Sequence, residues 1–241
     1  MRQSVFTTAA AIAIFAGAIQ AAAVSPYPVL SQRAERFYQQ HEWNQAAAVY
    51  GLMLDEQPQR ADTYGRAIVV NGMRGDHQAQ NALMARALDN HVPFDSVFSR
   101  VRAYSFSLGK TNLYADFLTG LKAEYPWMKR TINSYLLQYY TFRRNGAEML
   151  QLSNDMLAGA PGNIGFLRLS ARGALYDGDT AQAMVTYRHI LELDPDNFEA
   201  LCALGNYHTE TGEKAQALVY LERAYALHPT PYIAHLLETL Y

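Results

Sequence analysis

Two successive segments decide the fold: residues 164–197, IGFLRLSARGALYDGDTAQAMVTYRHILELDPDN, and residues 198–230, FEALCALGNYHTETGEKAQALVYLERAYALHPT. When the second segment is placed under the first at a shift of 34 residues, identical residues recur along its length. They include Gly178 with Gly212, Ala183 with Ala217, Leu193 with Leu227 and Pro195 with Pro229. The chain therefore contains an internal repeat.

Each segment has the pattern of two helices joined by a glycine turn. In the second segment, Leu201, Leu204 and His208 lie on one stripe of a first helix, and Gly205 lies where a neighbouring helix must come close. Gly212 supplies the left-handed residue that closes this helix at low cost. The apolar stripe of the second helix consists of Ala217, Leu218, Leu221 and Ala224, at spacings of three and four. We expect Ala217 to be small because the two helices cross there.

A period of 34 residues with this order of small, aromatic and proline positions resembles the tetratricopeptide repeat (TPR) family. The resemblance implies an all-α fold, an α-solenoid in which hairpins stack into a right-handed superhelix, because one hairpin cannot bury its apolar face alone. It covers six hairpins over residues 27–230, and a last helix over 231–241 then closes the stack. In the first hairpin the turn position is held by His41. In the fourth, Gly146 lies three residues late, which predicts a longer first helix or an extended turn.

Composition places the chain among ordinary soluble globular proteins. It has 241 residues, of which 50% are hydrophobic and 17% charged, with a formal net charge of −2. This balance argues against nucleic acid as the main partner. Cys202 is the single cysteine, so one chain forms no intramolecular disulfide and no cysteine-based zinc site.

The first 23 residues predict a secretory signal peptide. Arg2 is basic, an apolar run extends to about Ile19, and small residues offer a cleavage site before Val24. The alternative is an uncleaved membrane anchor, because the apolar stretch is almost long enough to span a bilayer. Either interpretation predicts that residues 24–241 form a single domain outside the cytoplasm, periplasmic or secreted, in a bacterial cell envelope.

The sequence carries no motif of a catalytic, metal or cofactor site. The seven histidines form no metal-binding pattern, and HExxH, GxSxG, GxxxxGK and GxGxxG are absent. We therefore predict no enzymatic activity, no metal and no cofactor. The triplet 177–179 resembles a fragment of a calcium loop, but a helix–helix turn in which Asp179 caps the next helix explains it better. Cys202 is a candidate nucleophile only by residue type, and a small residue facing into the array is the favoured interpretation.

The resemblance also implies a binding surface, because the first helices of successive units line a concave groove that holds peptides or helices in this family. Transferred by position, the groove residues are Glu35, Tyr38, Ser99, Phe106, Arg130, Asn133, Tyr140, Arg168, Arg172, Tyr176, Asn206 and Glu210. Arg168, Arg172 and Tyr176 follow at spacings of four and form one stripe, which suits a carboxylate or an acidic peptide. The alternative is a solvated face on which the arginines pair with neighbouring acids. The lysine and asparagine set that holds a C-terminal carboxylate in chaperone-binding members is represented only by Asn206.

These observations predict an extracytoplasmic protein that binds another protein through its groove, such as a scaffold or assembly subunit of an envelope complex. The partner is a protein or peptide, acidic or carboxylate-bearing, and not a nucleic acid; the membrane is contacted only through the N-terminal segment if that segment is kept. One alternative is an end-to-end assembly module, which an exposed apolar patch over residues 233–240 would favour. Another is an enzyme or small-ligand binder with its site in the groove.

Overall fold

The computed structural model describes residues 27–241, so the predicted signal peptide over residues 1–23 lies outside the described residues. Thirteen α-helices and no β-strand are present in the described part, and the all-α prediction is confirmed. The helices are α1 (Tyr27–Gln39), α2 (Trp43–Glu56), α3 (Ala61–Met73), α4 (His77–Asp89), α5 (Phe94–Ser107), α6 (Asn112–Glu124), α7 (Lys129–Arg143), α8 (Gly146–Leu157), α9 (Ile164–Asp177), α10 (Thr180–Leu193), α11 (Phe198–Glu210), α12 (Lys214–Leu227) and α13 (Pro231–Leu240), with a 3₁₀ turn at Pro126–Met128. None of the helices within 27–241 combines the length and apolar character needed to cross a membrane.

The turn inside each hairpin is marked by one residue with a left-handed backbone. These residues are His41 (φ 59°), Gly75 (70°), Gly109 (67°), Arg144 (52°), Gly178 (86°) and Gly212 (77°). Successive positions are 34 residues apart, except that Gly109 and Arg144 are 35 apart. These six turns each join two helices, His41 holds the turn of the first pair, and the fourth pair carries one inserted residue.

The position of Gly146 in the fourth hairpin differs from that of the other glycines in the repeat. Helix α7 is 15 residues long, as the longer-helix prediction requires, but its turn residue is Arg144 and not a glycine. Gly146 is buried and is the first residue of α8. Its role is close packing, because a Cβ atom there would lie 2.6 Å from the carbonyl oxygen of Gly173 in α9. The inserted residue explains why the spacing of glycines misplaced this turn.

The described chain divides into two compact units, one ending at Pro126 and one comprising Trp127–Tyr241. In the first unit α3 is the central helix, since it packs against α2, α4, α5 and α6. Gly65 of α3 lets α5 approach, because a Cβ atom there would collide with Arg100. The largest buried side chains of this unit are Tyr50, Tyr64, Phe98, Tyr114 and Phe117. The prediction of a single domain over residues 24–241 stays a prediction.

In the second unit each helix packs mainly against the next one in sequence, from α7 to α13. Ala217 is 0% exposed and lies in a core cluster with Leu201, Leu221 and Ile233. A Cβ atom on Gly205 would lie 2.6 Å from Cδ2 of Leu221. The predictions of a small residue at the α11–α12 crossing and of close helix approach at Gly205 are both confirmed.

Side-chain caps begin several of these helices. The Oδ1 atom of Asp179 accepts a hydrogen bond from the backbone N–H of Gln182, at 2.9 Å. Asn163 and Asn197 cap α9 and α11 in the same manner. The interpretation of residues 177–179 as a capped turn is therefore confirmed.

Candidate functional site

Side-chain contacts link the first helices of successive hairpins in both units. We call the surface on α1, α3 and α5 the N-terminal wall, and the surface on α7, α9, α11 and α13 the C-terminal wall. Glu35 of α1 bonds to Arg66 of α3 in the first unit. Arg168 of α9 bonds to Glu199 of α11 in the second. These two walls contain the predicted groove residues, and they differ in how their charges are paired.

Two arginines of the N-terminal wall are paired with carboxylates of the same wall. Arg66 donates to Glu35 and its Nε lies 3.7 Å from a carboxylate oxygen of Asp62. Its guanidinium carbon lies 4.6 Å from the ring centroid of Tyr104, whose hydroxyl donates to Asp62. Arg100 also lies 3.7 Å from Asp62. Arg66 and Arg100 are thus balanced by Glu35 and Asp62, whereas the other three arginines of α1, α3 and α5 form no ion pair among the described residues and lie against phenylalanine rings.

The ionisation states in this wall are fixed by burial and hydrogen bonding. Burial alone lowers the pKa of Arg66, but its interactions with the Tyr104 and Tyr50 hydroxyls outweigh burial and hold that pKa above its usual value. Burial raises the pKa of Tyr50 to about 12. Arg66 therefore stays charged and Tyr50 stays neutral at physiological pH.

The four groove residues predicted in the first unit have different surroundings. Tyr38 is only 9% exposed, and its ring lies 5.5 Å from the guanidinium carbon of Arg66, so it is part of the core and not of an open surface. Glu35 is held by Arg66. Phe106 is half-buried, and Ser99 is exposed near the beginning of α5. The structure therefore does not gather these residues into an open binding patch.

The C-terminal wall has an excess of positive charge at α7 and α9. Residues 127–176 contain six basic residues and only two acidic ones, Glu148 and Asp155; the basic ones are Lys129, Arg130, Arg143, Arg144, Arg168 and Arg172. Only Arg168 forms an ion pair; within residues 27–241 the other five have no carboxylate oxygen within 4.0 Å. The following residues, 177–241, contain ten acidic and three basic residues. Positive charge is therefore concentrated on one part of this unit and largely unpaired.

Arg168 is the exception because Glu199 neutralises it. The Nε of Arg168 donates to Oε2 of Glu199 at 2.7 Å, and the hydroxyl of Tyr187 lies 3.4 Å from the other carboxylate oxygen. Burial and the neighbouring Glu199 raise the pKa of Tyr187 to about 12, so its hydroxyl remains a donor. For Arg168, the alternative of an arginine paired with a neighbouring acid is the correct description.

Two arginines without an acidic partner meet at Tyr176. This tyrosine is 38% exposed, and a guanidinium nitrogen of Arg172 lies 3.5 Å from its hydroxyl. The guanidinium carbon of Arg144 lies 5.8 Å from the centroid of its ring. The hydrogen bond to Tyr176 raises the pKa of Arg172, which stays charged. A planar, half-exposed aromatic ring with two flanking guanidinium groups is a suitable surface for carboxylate groups.

A close crossing of α8 and α9 brings Arg144 to Tyr176. A Cβ atom on Gly146 would lie 2.7 Å from the backbone carbon of Tyr176, and one on Gly173 would lie 2.8 Å from the backbone nitrogen of Leu150. The two helices therefore touch through their backbones at both glycines. Because Arg144 precedes Gly146 by two residues, its side chain is carried onto the end of α9. The sequence analysis did not include Arg144 among the binding residues. The repeat period could have indicated it, because an arginine stands at the turn where four other hairpins have glycine.

The remaining predicted residues of the second unit are spread over the wall. Asn133 is 3% exposed and lies in the core, whereas Arg130 is exposed in the first turn of α7. Tyr140 is half-buried, with its ring centroid 5.4 Å from that of Tyr139. Asn206 accepts a hydrogen bond from the hydroxyl of Tyr232 at 3.3 Å, and Glu210 is exposed at the end of α11.

The other candidate chemistry is limited. Burial raises the pKa of the half-buried Cys202 thiol, which disfavours the thiolate needed for nucleophilic attack. Among residues 27–241, no group of three or more His, Cys, Asp or Glu side chains is arranged to hold a metal ion. The imidazole of His208 is buried, lies 2.9 Å from a carboxylate oxygen of Glu213 and stacks on Tyr220. It is a core histidine with an internal partner.

The last helix uses most of its apolar stripe for internal packing. Ile233 is 1% exposed, and Leu236, Leu237 and Leu240 pack against the same core cluster on α11 and α12. In α13 and the residue after it, the apolar side chains exposed by more than a third are Tyr232 and Tyr241. The exposed leucine patch that would favour end-to-end assembly is therefore not found on this helix.

Comparison with known proteins was made by sequence and by structure. Residues 174–240 match the sequence model of the tetratricopeptide repeat family, which confirms the resemblance for the C-terminal part of the chain. A search of curated protein sequences gave no match.

Similar solved structures include a Naa15/Naa10 complex bound to HypK-THB (16% identity, TM-score 0.49, covering 90% of this chain and 34% of that one). PilW, titled a widely conserved type IV pilus biogenesis factor, is 13% identical with a TM-score of 0.48 over 88% of this chain and 99% of that chain. PilF of Pseudomonas aeruginosa is 12% identical with a TM-score of 0.45 over 89% and 97%. Similarities at this level carry no information about function.

Proposed function

We propose that this protein is a non-enzymatic interaction module whose C-terminal wall binds an acidic segment of a partner protein. The observation that carries the proposal is the unpaired positive charge on α7 and α9, beside the half-exposed ring of Tyr176. We include Arg130, Arg144, Arg172 and Tyr176 in the binding surface and leave out Glu210, because its carboxylate would repel an acidic segment. Arg168 contributes less, because Glu199 already occupies its guanidinium group.

The physical basis is the difference between an arginine that already forms an ion pair and one that does not. An arginine that already holds a carboxylate must lose that bond before it binds another, whereas an unpaired arginine gains a new one. A hydrogen bond to a charged group contributes about 1.5–3 kcal/mol, so a few such contacts suffice for binding in the micromolar range. The acidic residues that follow α9 oppose a long polyanion such as nucleic acid, because such a chain would extend past the basic surface. A short acidic peptide segment fits the limited extent of the positive charge.

We further propose that the module acts outside the cytoplasm, as one component of a bacterial envelope complex. The support is the sequence of residues 1–23, with a basic start, an apolar run and small residues before Val24. Expression of the full chain in a Gram-negative host, followed by N-terminal sequencing of the periplasmic product, tests this. A mature N-terminus at Val24 is expected; an intact chain in the membrane fraction indicates an anchor, and an intact chain in the cytoplasm contradicts export.

The binding proposal is tested with a labelled oligoglutamate peptide titrated into the purified protein. Arg172→Glu is the sharpest variant, because Arg172 has no carboxylate partner and is partly exposed. We expect its affinity for the peptide to fall by about tenfold or more, the equivalent of one lost charge-assisted hydrogen bond. Arg168→Glu is less informative, because it breaks the pair with Glu199 and places two carboxylates together.

The matched control is Arg188→Glu. Arg188 is exposed on α10, outside the C-terminal wall, and its replacement changes the net charge by the same amount. This control should bind the peptide nearly as tightly as the unaltered protein. Equal losses in the two variants would show that only net charge matters, and the proposed site would then be wrong.

A single-stranded DNA oligonucleotide that binds better than the peptide, with the same dependence on Arg172, would show a nucleic-acid site instead.

A further inference from the structure

The left-handed turn at Arg144 distinguishes the fourth hairpin from the others. The equivalent turn residue is glycine in four hairpins and histidine in the first. A residue with a Cβ atom is disfavoured at φ 52°, because the Cβ approaches the following carbonyl oxygen. Strained residues of this kind persist where the side chain has a use that outweighs the backbone cost.

From this geometry we infer that Arg144 is a binding residue, retained at a strained turn because it forms, with Arg172 and Tyr176, a subsite for a carboxylate of the acidic partner. The inference rests on the proposed function and names the part of the C-terminal wall where the ligand is held. It adds a residue on the turn between α7 and α8, outside the first-helix positions to which the repeat pattern assigns contacts.

The arrangement of the three side chains supports this role. The guanidinium of Arg144 lies on the ring of Tyr176, and that of Arg172 lies at the hydroxyl of the same ring. A guanidinium held by an aromatic ring keeps its N–H edge available, and that edge matches the two oxygens of a carboxylate. Neither arginine has an acidic partner among the described residues, and Arg144 is exposed. The positions are also fixed, because the Gly146–Gly173 crossing holds the turn against the end of α9.

The competing explanation is that Arg144 only packs on Tyr176, as His41 packs on Trp43 in the first hairpin. Those two rings are stacked, with centroids 5.0 Å apart. A packing role and a binding role predict different results when the charge and the backbone strain are changed separately. Substitutions of Arg144 separate the two effects. Glycine removes both the charge and the backbone strain, alanine removes only the charge, and lysine keeps the charge.

The test uses the full chain and the oligoglutamate peptide, with thermal stability measured in parallel. Arg144→Gly and Arg144→Ala should each weaken peptide binding by about five- to tenfold, whereas Arg144→Lys, which keeps the charge but loses the planar fork, should weaken it by a smaller factor. The glycine variant should melt about 2–4 °C above the alanine variant, because only glycine relieves the left-handed backbone. His41→Gly makes the same backbone change in the other unit and should leave peptide binding unaltered.

Each outcome decides between the explanations. If Arg144→Gly and Arg144→Ala bind the peptide as tightly as the unaltered protein while Arg172→Glu loses binding, this inference is overturned and the proposed function stands. Retained binding in all three variants would overturn both. Equal melting temperatures of the glycine and alanine variants would refute the argument from strain. Loss of binding in Arg144→Lys as large as in Arg144→Ala would refute the argument from charge.

Discussion

Replacing Gly146 or Gly173 with alanine would add one methyl group where α8 and α9 already touch through their backbones. The added Cβ atom on Gly146 would lie 2.6 Å from the oxygen of Gly173 and 2.7 Å from the backbone carbon of Tyr176. The Cβ atom on Gly173 would lie 2.8 Å from the nitrogen of Leu150. Since non-bonded carbon atoms settle at about 3.5–4.0 Å, one helix must move by roughly 1 Å.

The expected loss of stability follows from two opposing terms. Overpacking of a tight contact costs about 1–3 kcal/mol, and here the upper part of that range applies because the obstructing atoms belong to the backbone. Alanine recovers up to about 1 kcal/mol over glycine through its better helix propensity. The gain is smaller at Gly146, which is the first residue of its helix. We therefore expect a net loss of about 2 kcal/mol, or a fall in Tm of roughly 4–8 °C for a chain of this size.

The measurement is urea unfolding followed by circular dichroism, with hydrogen exchange of the α8 and α9 amides as a local readout. Gly51→Ala and Gly120→Ala serve as matched controls, because a Cβ atom meets nothing within 4 Å at Gly51 and only the Oδ1 of Asn81, at 4.0 Å, at Gly120. These controls should become more stable by about 0.5–1 kcal/mol. If Gly146→Ala and Gly173→Ala also gain stability, the backbone contact between α8 and α9 does not exist.

The same substitution links the crossing to the binding surface. Because Gly146 follows Arg144 by two residues, displacement of α8 moves the Arg144 guanidinium away from Tyr176. Gly146→Ala should therefore weaken oligoglutamate binding by a few-fold without altering any charge. The double variant Gly146→Ala with Gly173→Ala should lose less stability than the two single losses added, since the first displacement makes room for the second methyl group.

Three further predictions concern other parts of the second unit. Ala217→Leu should lose about 1–3 kcal/mol by overpacking the α11–α12 crossing, and an unchanged melting curve would contradict that placement. Asp179→Ala should lose about 1 kcal/mol through the missing cap, whereas a rise in the Tm of the unaltered protein on adding calcium would reinstate the calcium-loop interpretation. At about pH 8 the raised pKa of Cys202 leaves less thiolate than in an unfolded chain, so iodoacetamide should label the native protein more slowly; equal rates would contradict this.

The repeat architecture was predictable because its signals are local. The left-handed turns, the cap at Asp179 and the small residue at Ala217 each depend on backbone geometry or on contacts within one hairpin pair. The turn of the fourth hairpin was predicted only as lying around residues 143–146, because a single inserted residue separates Arg144 from the glycine period. Gly146 could therefore be mistaken for a late turn glycine, although it is a packing residue.

The binding surface was only partly predictable, because ion pairs depend on side chains from different hairpins. Arg168 and Arg172 look equivalent in sequence, yet Glu199, which lies 31 positions after Arg168, forms an ion pair only with that arginine. Likewise, Tyr38 and Asn133 occupy inward positions of the repeat but are buried. A position in the repeat indicates the direction of a side chain, but neither its exposure nor its partner.

The two walls differ in the surroundings of their arginines. Both are built from arginine, tyrosine and carboxylate side chains on first helices, so residue composition alone would assign them equal binding capacity. In the N-terminal wall Arg66 and Arg100 are paired with carboxylates before any partner arrives, and the other three arginines lie against phenylalanine rings. In the C-terminal wall α7 and α9 contribute positive charge, and most of the acidic residues come later in the chain. At Tyr176 two arginines that form no ion pair lie on one half-exposed ring, so charge reversal at Arg172 should weaken binding of an acidic peptide by about tenfold or more, while reversal at Arg66 should mainly reduce stability.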